Sequence, residues 1–256
     1  MIDSHCHLYS GKFEHDLDEV IQRAEKYLSG IIISAVDLNS LEISLNIRRS
    51  YPNFIHVTAG IHPRKTAELD ENERRQLWRA IGCVRPEIVA LGEVGPDFHH
   101  VRDRKKQRKQ LRVLEEALSQ AEKWDLPLVI HARKAEAVAL EVVSQSRIPV
   151  MFHCFTGSMK DARRIIEHGY YLSFSSLLFT NLELQKIVTK IPPNRILTET
   201  DSPALSPHRD QSRNEPAFIE KVVLLLSKLL GKSFEHTAAM TAENARRFYK
   251  IKMPIS

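Results

Sequence analysis

The chain has no run approaching the roughly 18–20 consecutive apolar residues needed to cross a bilayer, and its mean hydropathy is negative at −0.29. An acid, Asp3, stands close behind Met1, where a secretory leader would carry positive charge. These features lead us to expect a soluble, cytoplasmic protein without membrane association. Cysteine is scarce: Cys6, Cys83 and Cys154 are an odd number with no C-x-x-C spacing. Neither a disulfide framework nor a thiolate zinc site is indicated, and reduced thiols are expected. Only 9 glycines occur among 256 residues, about half the usual share, and no Gly/Ser linker or low-complexity tract interrupts the chain. With no boundary in view, one domain over 1–256 is expected, near the size where single cores stop growing. Nothing marks a segment for an obligate protein partner.

Apolar residues make up 43% of the chain and charged residues 27%, enough to build a sizeable core. Lys and Arg exceed Asp and Glu by 37 to 32, a net +5, which favours approach to a polyanion such as nucleic acid. Short apolar, β-branched runs recur at Ile2-Asp3, Ile31-Ala35, Ile55-Ile61, Ile88-Val94, Leu128-His131, Val150-His153, Tyr171-Ser175 and Ile196-Thr200, each reading as a strand. Helical stripes separate them, such as Leu17, Val20, Ile21 and Ala24, or Leu111, Leu114, Leu118 and Ala121. The units repeat at roughly 28 residues, the size of a βα unit. Eight of them predict an α/β protein with a (β/α)8 TIM barrel, closed by extra C-terminal helices over Ala217–Leu230 and Phe234–Tyr249. An open doubly wound sheet is the alternative.

Histidines and acids gather at the ends of these runs. His5 and His7 follow the first in D-S-H-C-H, and the two-residue period of an extended chain turns both imidazoles to one side. Glu93 ends I-V-A-L-G-E-V, with Gly92 and Gly95 leaving the backbone room around it; His131 ends L-V-I-H, His153 ends V-M-F-H, and Asp201 follows I-L-T-E-T. In barrel enzymes the C-terminal strand ends carry the active site, so these six residues would share one rim. Imidazole and carboxylate ligands without thiolates suit Zn2+, Mn2+ or Mg2+. Two such ions would clamp a phosphodiester and activate a water, which makes hydrolysis the natural chemistry.

At these residues the sequence resembles the TatD family of metal-dependent deoxyribonucleases, within the amidohydrolase-like TIM barrels. The likeness runs nearly end to end, through M-I-D-S-H-C-H-L, G-I-H-P, L-G-E-V-G-P-D, L-P-L-V-I-H-A-R, H-C-F-T-G-S and E-T-D-S-P. Pro96 departs from it, standing where the family usually has leucine. The resemblance implies one metal held by His5, His7, Glu93 and Asp201, and a second held by Glu93, His131 and His153, with Glu93 as bridge. Asp201 would orient or deprotonate the attacking water, and His62 would touch the scissile phosphate. It further implies a 3'-to-5' exonuclease on single-stranded DNA, with RNA as a further substrate and a place in DNA repair. The rival reading keeps the metal site and changes the substrate to D-aminoacyl-tRNA or another ester or amide. A third is a non-catalytic nucleic-acid-binding barrel.

Substrate contacts are expected from His62, Arg133, His208 and Arg213, with Arg209 beside them in the loop after Asp201. Seven of the eleven residues from Arg102 to Arg112 are basic; they would steer phosphate or form a solvated helix face. Cys154, Phe155 and Phe174 are assigned to packing, and His99, His100 and His168 to the surface.

Overall fold

The computed structural model describes residues 1–208 and 213–251. Eight strands follow one another: β1 (Ile2–Cys6), β2 (Gly30–Ala35), β3 (Ile55–Ala59), β4 (Ala90–Val94), β5 (Leu128–Ile130), β6 (Val150–Phe152), β7 (Tyr171–Phe174) and β8 (Ile196–Thr198). Helices α1 (Leu17–Glu25), α2 (Leu38–Ser50), α3 (Pro63–Glu68), α4 (Glu71–Cys83), α5 (Arg104–Trp124), α6 (Glu136–Val143), α7 (Met159–Glu167) and α8 (Leu182–Val188) fill the intervals. Two more, α9 (Ile219–Leu230) and α10 (Phe234–Tyr249), complete the described chain. Neighbouring strands pair in parallel, and their order across the sheet is their order in the chain. A doubly wound sheet would reverse that order midway, so the expected (β/α)8 barrel is the fold. No helix among the described residues is long and apolar enough to cross a membrane.

The two-residue strand period divides the core in two. Ile31 and Ile33 pack with Val20, Ile21 and Leu41 between sheet and helices. Ile32 faces the other way and joins Ile2, Ala90, Val129, Met151 and Leu197 in a separate cluster. That second cluster is the inside of the barrel, and Ala242, Ala245, Phe248 and Tyr249 of α10 stopper it. α10 matches its expected span, whereas α9 begins at Ile219 because Pro216–Phe218 form a tight 3-10 turn. β1 continues to Cys6, with its register against β2 shifting between Asp3 and Cys6. His5 therefore lies within the strand instead of after it.

Closure between β8 and β1 depends on side chains as well as backbone. The buried carboxyl group of Asp3 accepts from the Thr200 backbone N–H at 2.9 Å and the Thr200 hydroxyl at 2.5 Å. Just beyond, the Asp201 N–H donates to the His5 carbonyl (3.0 Å) and the His7 N–H to the Ser202 carbonyl (2.7 Å). The Tyr249 hydroxyl donates to the Ser4 carbonyl at 2.7 Å, pinning the stopper to the same seam. Asp3→Ala would leave buried donors without an acceptor and should lower stability by about 3 kcal/mol. Asp3→Asn, which keeps an acceptor oxygen, should lose clearly less, as measured by urea unfolding.

Candidate metal centre

The strand period delivers the candidate ligands to one place. Val129 and Met151 line the inner cluster, so His131 and His153, two residues further along, point inward above them. Leu197 is followed in the same way by Glu199. Glu93 lies on the fully buried β4. Its flanking glycines have the left-handed φ values of +128° (Gly92) and +144° (Gly95), and a Cβ on Gly95 would sit 2.2 Å from the His131 carbonyl oxygen. The room around Glu93 thus depends on having no side chain there.

Glu93 occupies the centre, and its two oxygens face different partners. Oε1 lies 3.8 Å from His5 Nε2 and 3.7 Å from His7 Nε2. Oε2 lies 3.2 Å from His131 Nδ1 and 2.7 Å from His153 Nε2. Asp201 Oδ1 is 3.2 Å from His7 Nε2 and 4.0 Å from His5 Nε2. Three sets of donors cluster within 4.8 Å: His5, His7 and Asp201; His5, Glu93 and His153; and His62, Glu93 and His131. All six residues expected as ligands are therefore brought together, and His62 joins them.

This donor set fits divalent ions. His5 Nε2 is buried without a hydrogen-bond partner, a rare condition for a buried polar atom. Its separations from Glu93 and Asp201 are too long for hydrogen bonds and suit donors that each reach a shared ion at about 2 Å. The electrostatics agree. Burial acts to raise the Glu93 carboxyl, yet the surrounding imidazoles, His153 foremost, hold it well below the ordinary carboxylate range. Burial opposes ionisation of Asp201 too, but the His7 hydrogen bond and the imidazoles of His7, His5 and His153 keep its pKa low. Both carboxylates are thus anionic, as ligands must be.

Residues outside the expected set hold the imidazoles in place. His7 Nδ1 lies 3.0 Å from the Ser34 carbonyl oxygen, which leaves Nε2 toward the centre. His153 Nδ1 lies 3.4 Å from Glu199 Oε1, and the Ser173 hydroxyl donates to the other Glu199 oxygen. Asp97 Oδ2 is 3.4 Å from His131 Nε2 and 2.7 Å from His100 Nδ1. Asp97 and Ser34 carry no role that sequence pattern alone reveals, whereas the two-residue step from Leu197 is an available signal for Glu199.

Two cavities flank the ligands. One, of about 350 Å³, is lined by His7, Tyr9, His62, Arg64, Lys65 and Glu93, among others. The other, of about 190 Å³, lies against His131, Arg133, His153, Cys154, Asp201 and Leu205. His62 caps α3, its Nδ1 accepting from the Arg64 N–H at 3.1 Å, while its ring lies 5.0 Å from that of His131. Cap and cleft residue are one. Arg213 instead makes a two-pronged pair with Asp16, at 2.6 Å for each contact. His208 Nδ1 lies 3.0 Å from Lys221 Nζ. Neither of these residues is among those lining the two cavities, and Arg209 lies outside the described residues. Phe155 and Phe174 are buried in the core. His100 is exposed yet hydrogen-bonded to Asp97.

Imidazoles and carboxylates gathered at the C-terminal strand ends of a (β/α)8 barrel are the donor set expected of a metal-dependent hydrolase. Comparison with known proteins narrows the class. The chain belongs to the TatD related DNase family, whose model matches residues 2–250. It is 31% identical to the uncharacterized metal-dependent hydrolase YabD of Bacillus subtilis, covering 98% of this chain and 99% of that protein. It is 30% identical to the 3'-5' ssDNA/RNA exonuclease TatD of Erwinia tasmaniensis, covering 98% and 100%. Among solved structures, the TatD homologue YJJV of Escherichia coli superposes with a TM-score of 0.88 at 25% identity, over 98% of each chain.

Gly95→Ala tests the central role of the β4–β5 approach. The added methyl must displace the His131 carbonyl, so stability should fall by about 1–3 kcal/mol. Metal retained after dialysis, read by elemental analysis, should fall with it; retention equal to the parent protein would show that the ligands tolerate the shift.

Proposed function

We propose that this protein is a two-metal phosphodiesterase that shortens single-stranded DNA, and also RNA, from the 3' end. The division of Glu93 carries the reading. One carboxylate oxygen faces His5 and His7 and the other faces His131 and His153, as a ligand shared by two ions requires. His5, His7, Glu93 and Asp201 would hold one ion, and Glu93, His131 and His153 the other, each Mg2+, Mn2+ or Zn2+. Such ions supply Lewis-acid polarisation of a phosphoryl oxygen and acidify a water in the site. Relatives bearing exonuclease and deoxyribonuclease names support nucleic acid as the substrate class.

The chain's own residues then have assignable tasks. Asp201, anionic and at the rim of the smaller cavity, accepts the proton of the attacking water. Water oxygen joins phosphorus, the bond from phosphorus to the 3'-oxygen breaks, and that oxygen takes a proton from solvent as the strand departs. Burial lowers the His62 imidazole to about 4, so the ring is neutral at physiological pH. With Nδ1 accepting from Arg64, its proton resides on Nε2, free to donate to a phosphate oxygen. Arg64, Lys65 and Arg133 line the cavities and complement the backbone charge on either side.

The test is a 5'-labelled single-stranded oligonucleotide incubated with Mg2+, Mn2+ or Zn2+. A ladder shortening from the 3' end, abolished by EDTA, is expected. Asp201→Asn should slow it by roughly 10²–10⁴-fold, the contribution of a positioned general base. Release of amino acid from D-aminoacyl-tRNA, without strand shortening, would move the reading to ester substrates.

A further inference from the structure

The basic stretch near the start of α5 is sorted by the fold into two sets. Lys105, Arg108, Lys109 and Arg112 stand at i, i+3, i+4 and i+7, the spacing of a single helix face. With Leu69, Asp70 and Arg74 they line a groove of about 670 Å³ between α5 and the α3–α4 segment. Arg102, Arg104 and Lys106 are not among its lining residues. This stripe works against its own helix. Lys105 and Lys109, like Arg108 and Arg112, are like-charge i,i+4 pairs, which repel. The N-terminus of α5 is already capped by Asp103, which accepts from the Lys106 backbone N–H at 2.8 Å, so that acid is engaged by the backbone.

The acids of the groove are already engaged. Asp70 caps α4 by accepting from the Asn72 and Glu73 backbone N–H groups, at 2.7 and 2.9 Å. Glu116 pairs with Arg74 at 3.0 Å and accepts from Trp78 Nε1 at 3.0 Å, and Glu71 pairs with Arg75. Among the described residues no carboxylate pairs with Lys105, Arg108 or Arg112. The groove is also tied to α3, which borders the cleft beside Glu93. Gln110 Nε2 donates to the Pro63 carbonyl at 2.9 Å, and Lys109 Nζ reaches the Leu69 carbonyl. α3 is the partition between them: Arg64, Lys65 and Glu68 line the cleft beside Glu93, and the next residue, Leu69, lines the groove.

We propose that this groove is a second binding site, which takes the phosphate backbone of a single-stranded polynucleotide upstream of the nucleotide being removed. It rests on the nuclease reading above. The strand leaves the metal centre past Arg64 and Lys65, crosses α3, and lies along the cationic face of α5. The like-charge repulsion along the stripe is relieved when phosphates bind there.

The test combines Lys105→Glu, Arg108→Glu and Arg112→Glu, all at exposed positions, in one variant. Arg102→Glu, Arg104→Glu and Lys106→Glu, combined in a second, make the same charge change outside the groove. Affinity of the metal-loaded proteins is measured against salt with a fluorescent, phosphorothioate-linked strand of about 20 nucleotides. The groove variant should bind at least about tenfold more weakly at low salt. Its plot of log affinity against log salt should flatten by about 2, since three lost contacts contribute about 0.7 each. Its hydrolysis of bis(4-nitrophenyl) phosphate and of a dinucleotide should match the parent. Unchanged affinity and slope, in a parent that shortens the strand, would overturn the groove alone. So would an equal loss in the control variant, or an equal loss on the dinucleotide. A parent that hydrolyses the small diester yet neither binds nor shortens the strand would overturn the nuclease reading and the groove together.

Discussion

The contact between Asp3 and Thr200 joins the first strand of the barrel to the last, and the candidate metal centre is assembled on that join. Asp3 is fully buried, burial pushes its carboxyl up to about 8, and a buried carboxyl group is tolerated only when partners satisfy it. Thr200 supplies two, and the His5 backbone N–H, at 3.3 Å, adds a third. With the seam held, the backbone pairings of His5 with Asp201 and of His7 with Ser202 follow. They bring two imidazoles from one end of the sequence against a carboxylate from the other. Glu93, His131 and His153 reach the same point from strands across the barrel.

Much of this was legible because barrel strands read as buried apolar runs and the candidate ligands terminate them. His131 and His153 interrupt two of the most apolar segments of the chain, so their polarity stands out. Glu199 and Asp97 are harder to recognise. An acid in a strand end or a turn looks the same whether it faces solvent or supports an imidazole, and only the register inside the closed barrel decides. Arg213 and His208 show the converse difficulty. Their nearness in sequence to Asp201 suggests nearness to the site, but direction is set by partners far away, and Arg213 finds Asp16. His62 belongs to both classes, since the geometry that makes it a helix cap also leaves one face of its ring toward the cleft.

The two cavities beside the ligands differ in character. The larger carries Arg64, Lys65 and His62 and is the more open; the smaller includes Leu177, Ala204 and Leu205 together with Arg133. A barrel of this type separates its tasks in this way: strand ends hold the reactive groups, and the loops beyond them shape what is admitted. The family relation therefore speaks most directly to the centre, and the loop residues carry the selectivity of this chain.

The stopper formed by α10 bears on how the protein is made. Tyr249 reaches back to Ser4 across 245 positions of sequence, and Thr200 reaches Asp3 across 197. β1 is made before the other seven strands and waits for β8 before its second edge is covered. Pairings this distant fold slowly, and an uncovered edge strand is a template for association with other chains. Nascent copies are thus most exposed to mispairing until β8 emerges and α10 can seal the inner cluster, and chaperone engagement during synthesis should concentrate on that interval.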